Sequence, residues 1–257
     1  MQFGYYRLMS TQTLKDMGSD FFQEELLSEI EKQGVDFVCF VDISHLTHKQ
    51  SKGYSTAILF DIALSKSYLE KVAANPEYVE QMKVLQTINE DEFHLTEHKT
   101  DQIADNIEKY IVSKGFKAYS QSEENIVRSG CYDKNNKTTP LPHKTIAVLA
   151  GLGWIGKNNL LVTKKYGSAI SMCSVLTSAT LDSKRQEPLI PLCGNCGICS
   201  QICKTNAIKG DLWYYGVERE KIVDIFLCVT CLQCLVHCPW TNKYLNGNEK
   251  AYAQNIF

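Results

Sequence analysis

The sequence predicts an α+β protein in two parts: an N-terminal α/β sandwich-like domain over 1–187 and a small cysteine-built domain over 188–257. Three observations carry this prediction. Helix-like and strand-like apolar patterns alternate along the first part. The eleven cysteines are unevenly spread: only Cys39, Cys131 and Cys173 precede residue 193, whereas eight occupy the 46 positions from Cys193 to Cys238. Pro188 and Pro191, in the stretch Arg185 to Pro191, mark the seam just before the dense segment.

Residues 19–33 place Phe22, Leu26, Leu27 and Ile30 on one face of a helix, which Gly34 ends. Val35 to Val41 and Tyr54 to Leu64 are rich in β-branched and aromatic residues and read as buried strands. From Lys66 to Ser113 the chain is polar with a helical period, and Ile103, Ile107, Tyr110 and Ile111 form the stripe that covers a sheet. Gly115 stops that helix and Phe116 to Ser120 forms a short strand. A polar loop from Asp133 to Pro140 follows, constrained by Pro140 and Pro142. His143 to Leu149 reads as a helix, and Asn159 to Thr163 and Ser168 to Thr177 read as strands. The glycines of Gly151 to Lys157 interrupt the pattern between them.

Composition excludes several classes. The longest apolar runs, Ala57 to Phe60 and Ile62 to Leu64, fall far short of the roughly 20 residues a membrane-spanning helix needs, so no membrane span is expected. Met1 to Arg7 lacks the basic start and apolar stretch of a secretory signal, which makes the cytoplasm the expected location. A net charge of -2 gives no whole-chain reason to expect a polyanionic partner.

The dense segment carries the chemistry. Cys193-x2-Cys196-x2-Cys199-x3-Cys203 is followed by Cys228-x2-Cys231-x2-Cys234-x3-Cys238-Pro239, and each is the run of the bacterial two-[4Fe-4S] ferredoxin. Two intervening residues let a tight loop aim successive thiolates at neighbouring corners of a cubane, and the fourth cysteine leaves to serve the other cluster. Cys193, Cys196, Cys199 and Cys238 are therefore assigned to one cluster, and Cys228, Cys231, Cys234 and Cys203 to the other. A pair of zinc sites would also use four thiolates each but leaves the doubled spacing unexplained. Lys204 replaces the proline that commonly follows the fourth cysteine, and its charge is expected to raise the potential of the neighbouring cluster. Cys39 and Cys173, in strand patterns, read as small buried hydrophobes, while Cys131 sits in a loop where it is a candidate reactive thiol. His94 and His98, four apart, read as an exposed helix face lacking a third metal ligand, and His45 and His48 likewise.

Two blocks, Gly151-Leu152-Gly153-Trp154-Ile155-Gly156-Lys157-Asn158-Asn159-Leu160-Leu161 and Cys231-Leu232-Gln233-Cys234-Leu235-Val236-His237-Cys238-Pro239-Trp240, resemble the epoxyqueuosine reductase family, cobalamin-dependent iron–sulfur enzymes of queuosine biosynthesis. The resemblance extends over about residues 54 to 244 and is sharpest from Pro142 to Trp240. The wider family is also similar to the reductive dehalogenases. The resemblance implies electrons passing through two [4Fe-4S] clusters to a bound cobalamin, with Gly151, Gly153, Trp154, Gly156 and Lys157 against the corrinoid. The same block also reads as a tight turn with Trp154 in the core. Aligning the family's catalytic aspartate, three positions before a proline, puts Lys137 at the acid's position, which leaves His143 and Asp133 as the candidate proton donors. The family's helical-repeat region that grips tRNA has no counterpart in the 19 residues after Cys238. The expectation is therefore a small-molecule substrate with tRNA unlikely, and a ferredoxin or flavodoxin as electron donor. The alternative is a ferredoxin-type electron-transfer protein without corrinoid.

Overall fold

A computed structural model describes residues 11–247, with side chains from Phe21 onward. Met1 to Arg7, read above for the lack of a secretory signal, lies outside the described residues. The elements run α1 (Thr11–Glu31), β1 (Phe37–Asp42), α2 (His48–Ser51), β2 (Thr56–Ala63), α3 (Lys66–Ala74), α4 (Tyr78–Val84), α5 (Glu92–Ser113), β3 (Ala118–Ser120), α6 (Glu123–Arg128) and α7 (His143–Leu149). They continue as β4 (Gly153–Ile155), β5 (Leu161–Thr163), β6 (Ile170–Thr177), α8 (Ile198–Gln201), α9 (Gln233–Val236) and α10 (Pro239–Asn246).

One sheet, ordered β1-β2-β6-β3 with every pairing antiparallel, organises the first part. β2 lies inside it and is buried along nearly its whole length, so its residues alternate between two cores instead of between core and water. Ile58, Phe60 and Ile62 face α1 and α5, meeting Phe22, Leu26, Ile30, Ile103, Ile107 and Ile111. Ala57 and Leu59 face the opposite layer, built from Ile146 to Leu149 of α7 with Ile155 and Leu161. Each fully buried aliphatic side chain contributes about 1.5–3 kcal/mol, which is why these stripes were visible in the sequence. No helix among the described residues is long and apolar enough to cross a membrane.

The structure divides the helical stretch from Lys66 to Ser113 into α3, α4 and α5 and adds the short α2, and two further elements differ for a physical reason. The glycine block contains a strand, β4, which pairs with β5 as a separate antiparallel hairpin. Glycine depresses strand propensity, so the pattern concealed it. The six-residue α6 is too short to display a period.

The cysteine segment is packed onto this frame. Leu64, Tyr68, Leu69 and Val72 share one buried group with Leu232, Leu235 and Val236. Gly167 abuts the backbone at Trp240 and Thr241 so tightly that any side chain there would collide with it. Gly167 also has φ +60, a conformation that favours glycine.

Candidate metal centre

The eight cysteines lie on short loops whose sharp curvature has a local cause. Gly194, Thr230 and Leu232 all adopt positive φ, which curls the backbone sharply at these points. Cys199 rides on α8 and Cys234 on α9, while Cys238 caps α10, whose first residue is Pro239.

Cys193, Cys196, Cys199 and Cys238, the four assigned across the motifs to one cluster, together line a single cavity of about 260 Å³. Val162, Leu192, Pro239 and Trp240 supply its apolar wall, and Lys157, Asn158 and Lys243 its polar one. Among the described residues, no three His, Cys, Asp or Glu side chains converge as one metal ion requires. The quartet surrounds a volume instead. Its chemistry suits a polynuclear cation. Burial, then the neighbouring Cys193, Cys238 and Cys196, push the Cys199 thiol up to about 11, so ionising all four needs positive charge in their midst.

Cys203, Cys228, Cys231 and Cys234 form the second group. Burial and then Cys231 and Cys228 push the Cys234 thiol far up, and Cys203 and Cys234 pack on Ala207, Ile208 and Val223. Cys228 is exposed, between the exposed Phe226, Leu227 and Val229. Lys204 does not act as a free charge here. Its ammonium is bound by Glu77 (3.0 Å) and by Glu80, so the local sum is negative and the expected rise in potential loses its cause.

The glycine block faces protein. A Cβ on Gly153 would overlap the Val162 carbonyl across the hairpin, one on Gly156 would meet the Asn158 and Val162 side chains, and Gly151 abuts Gln186. Trp154 is wholly buried with Val162 and Cys238, its ring 4.9 Å from that of Trp240 in an edge-to-face contact. Lys157 lines the thiol cavity.

The candidate proton donors occupy different settings. Asp133 is an exposed turn residue whose carboxylate accepts the Asn135 and Asn136 amides and the Asn136 side chain. Those bonds hold it below the usual carboxylate range, the Asn136 side chain foremost, so at neutral pH it is ionised and has no proton to give. His143 Nδ1 lies 2.8 Å from Ser174 Oγ, and that hydroxyl donates to Gln121 Oε1 at 2.9 Å. With its hydrogen committed, Ser174 accepts from Nδ1–H, which leaves Nε2 as an acceptor. Burial pushes the His143 imidazole down to about 4, so it is neutral at pH 7 and suited to accepting a proton. Lys144 beside it was missed. Its ammonium donates to Asn159 O (3.0 Å) and Oδ1 (2.8 Å), and burial, then the charge of Arg219, push it down to about 8. A lone lysine in a helix carries no sequence signal of burial. Lys137 stacks its ammonium over Phe226 at 5.0 Å, while Arg219 donates to the Lys137 and Asn136 carbonyls at 2.8 and 2.6 Å. Arg219 thus latches the 133–140 loop to the segment that leads to Cys228.

Cys173 is buried with its thiol 3.6 Å from Asp101, and burial pushes Cys39 up to about 12. At Cys131 burial acts upward, but Lys52, Ser129 and Tyr119 together outweigh it and hold the thiol below its ordinary value. His94 and His98 are surface residues with their Nε2 atoms 3.1 Å apart.

No protein-family model matches the chain. The epoxyqueuosine reductase of Lactococcus garvieae is 30% identical over 206 residues, 73% of this chain and 53% of that protein. That of Gloeobacter violaceus is 44% identical over 125 residues, 40% of this chain and 37% of that protein. Among solved structures, an epoxyqueuosine reductase with an epoxyqueuosine-modified tRNA-Tyr stem loop superposes with a TM-score of 0.51 at 14% identity, covering 87% of this chain and 66% of that one. A catabolic reductive dehalogenase superposes at 0.60 with 16% identity, over 84% and 31%. The chain spans about half the length, or less, of the curated relatives it matches.

The tRNA stem loop corrects one expectation, that of a small-molecule substrate with tRNA unlikely. A net charge of -2 averages over the whole surface, whereas RNA is met by a local patch. Around the 133–140 loop, Lys49 and Lys52 border Cys131, Thr139 and Pro140, and Arg219 reaches the same loop. In sequence this chain resembles the epoxyqueuosine reductases, and in fold both them and the reductive dehalogenases.

Proposed function

We infer that the chain is a reductase of the iron–sulfur and cobalamin type, holding two [4Fe-4S] clusters and acting on a modified nucleoside presented by an RNA stem loop. The observation that carries this is the meeting of Cys238 with Cys193, Cys196 and Cys199 around one cavity, a grouping that a cluster ligated across two motifs requires. Cys203, Cys228, Cys231 and Cys234 hold the second cluster. The similarity to epoxyqueuosine reductases supports the reaction class, and the basic rim of the 133–140 loop supports an RNA substrate.

When bound, the clusters would supply single electrons at low potential, and this chain's residues would shield the one held by Cys193, Cys196, Cys199 and Cys238. Trp154, Val162 and Trp240 shield the thiols on one side, and the 133–140 loop is held in place by Arg219. Lys144, with its lowered affinity for protons, is the group suited to supply a proton near neutral pH, and His143 the group suited to take one. A corrinoid is assigned no residue of the Gly151–Lys157 block, because the space beside each of its glycines is filled by the protein's own atoms.

The test is anaerobic reconstitution followed by single-turnover reaction with an epoxyqueuosine-containing tRNA stem loop, a chemical reductant and added cobalamin. About eight irons and eight sulfides per chain, with loss of the epoxide oxygen, are expected. A chain that takes up only zinc, or leaves the modified stem loop unchanged, would contradict the reading.

A further inference from the structure

Two polar donors are buried beside the first thiol quartet: Trp154 Nε1 has no hydrogen-bond partner, and Ser168 Oγ has only the Cys238 sulfur to face. Leaving such a group unsatisfied is costly, so an unpartnered donor beside a cofactor site points to an acceptor supplied by the cofactor. Trp154 packs directly with Cys238 and Val162, with Cys193 and Trp240 against the same group. Ser168 is only 2% exposed, its amide is fixed by Thr241 Oγ1 at 3.1 Å, and its hydroxyl faces the Cys238 thiol. Both donors therefore lie in the packing around Cys238, directly behind the residues that line the cavity.

Resting on the cluster assignment above, we propose that the Trp154 indole N–H and the Ser168 hydroxyl donate hydrogen bonds to sulfur atoms of the cluster held by Cys193, Cys196, Cys199 and Cys238, raising its reduction potential. Reduction adds negative charge to the sulfurs, so each donor stabilises the reduced state more than the oxidised one. Trp154 and Ser168 are positioning residues for electron transfer.

The test is a redox titration of the anaerobic holoprotein, each cluster followed by its paramagnetic spectrum, for wild type, Trp154→Phe, Ser168→Ala and Ser168→Thr. Trp154→Phe and Ser168→Ala should each shift the reduction equilibrium of this cluster about tenfold towards the oxidised form, about 59 mV for one electron. The other cluster should stay unmoved, and Ser168→Thr should keep the wild-type value. Eight irons with an unmoved potential in both variants overturns the proposal and places the indole N–H against the Trp240 ring. Where Trp154→Phe fails to load iron, Ser168→Ala, the smaller change, decides by the same criterion. A wild-type chain that loads no clusters defeats the functional reading itself, a distinct result.

Discussion

The two thiol quartets share a spacing but not an environment. The Cys193, Cys196, Cys199 and Cys238 site is walled by the β4–β5 hairpin and α10, with Lys157 and Lys243 at its rim. The Cys203, Cys228, Cys231 and Cys234 site opens to solvent at Cys228, and its nearby lysine is neutralised by two glutamates. Identical ligand runs thus produce an enclosed, cation-rimmed site and an open one. The difference comes from the N-terminal part of the chain, which supplies the hairpin to one site and Glu77 and Glu80 to the other.

The sharpest way to break this comparison is to remove a crossing ligand. Cys238→Ala should empty the enclosed site, halving iron from about eight to about four per chain, while Cys203→Ala should spare it and damage the open one. Iron analysis with paramagnetic spectra checks both, and loss confined to each cysteine's own motif would show that ligation does not cross. Gly153→Val is next. Its side chain would strike the Val162 carbonyl, so about 2–4 kcal/mol of overpacking should fall on the hairpin and on Trp154 beside Cys238. The enclosed cluster should be lost or labile with the open one retained, read out by iron content and thermal melting.

A smaller effect belongs to the sheet. Asp61 is 1% exposed with Oδ1 unpartnered, and burial, then the nearby Asp36, push its carboxyl up to about 7. Folded, it keeps a proton up to about pH 7; unfolded, only to about pH 4. Folding takes up a proton in that window, so its contribution is complete below about pH 4 and is lost as pH rises through 7. Asp61→Asn should raise the melting temperature at pH 8, an effect of about 2–4 kcal/mol, and change little at pH 4. Equal shifts at both values would remove the titration from the explanation. The smallest change expected is at the open site. Glu77→Gln with Glu80→Gln frees the Lys204 charge and should move that cluster's reduction equilibrium a few-fold, roughly, towards reduction, screened by solvent and salt. A redox titration at low and high salt resolves it.

The sequence disclosed what depends on local spacing. The stripe Ile103, Ile107 and Ile111 announced α5, and the x2-x2-x3 runs announced which thiols should meet, because both are set by a few consecutive residues. It concealed what depends on distant partners. Nothing near Lys204 hints at Glu77 and Glu80, more than 120 positions earlier, and nothing near His143 shows that Ser174 fixes its tautomer. The glycine block was legible as a turn and a buried Trp154, but the strand β4 within it forms only because β5 lies opposite.

The shared group of Leu64, Leu69 and Val72 with Leu232, Leu235 and Val236, together with the close seat of Gly167 on α10, bears on portability. A ferredoxin module that can be transplanted must bring its own interior. The cysteine segment here borrows part of its interior from α3. Excised at residue 188, the cysteine segment would expose Leu232, Leu235 and Val236 to water, and grafted elsewhere it would need a host offering the same apolar ledge. The cysteine segment is built as a fixture of this one protein.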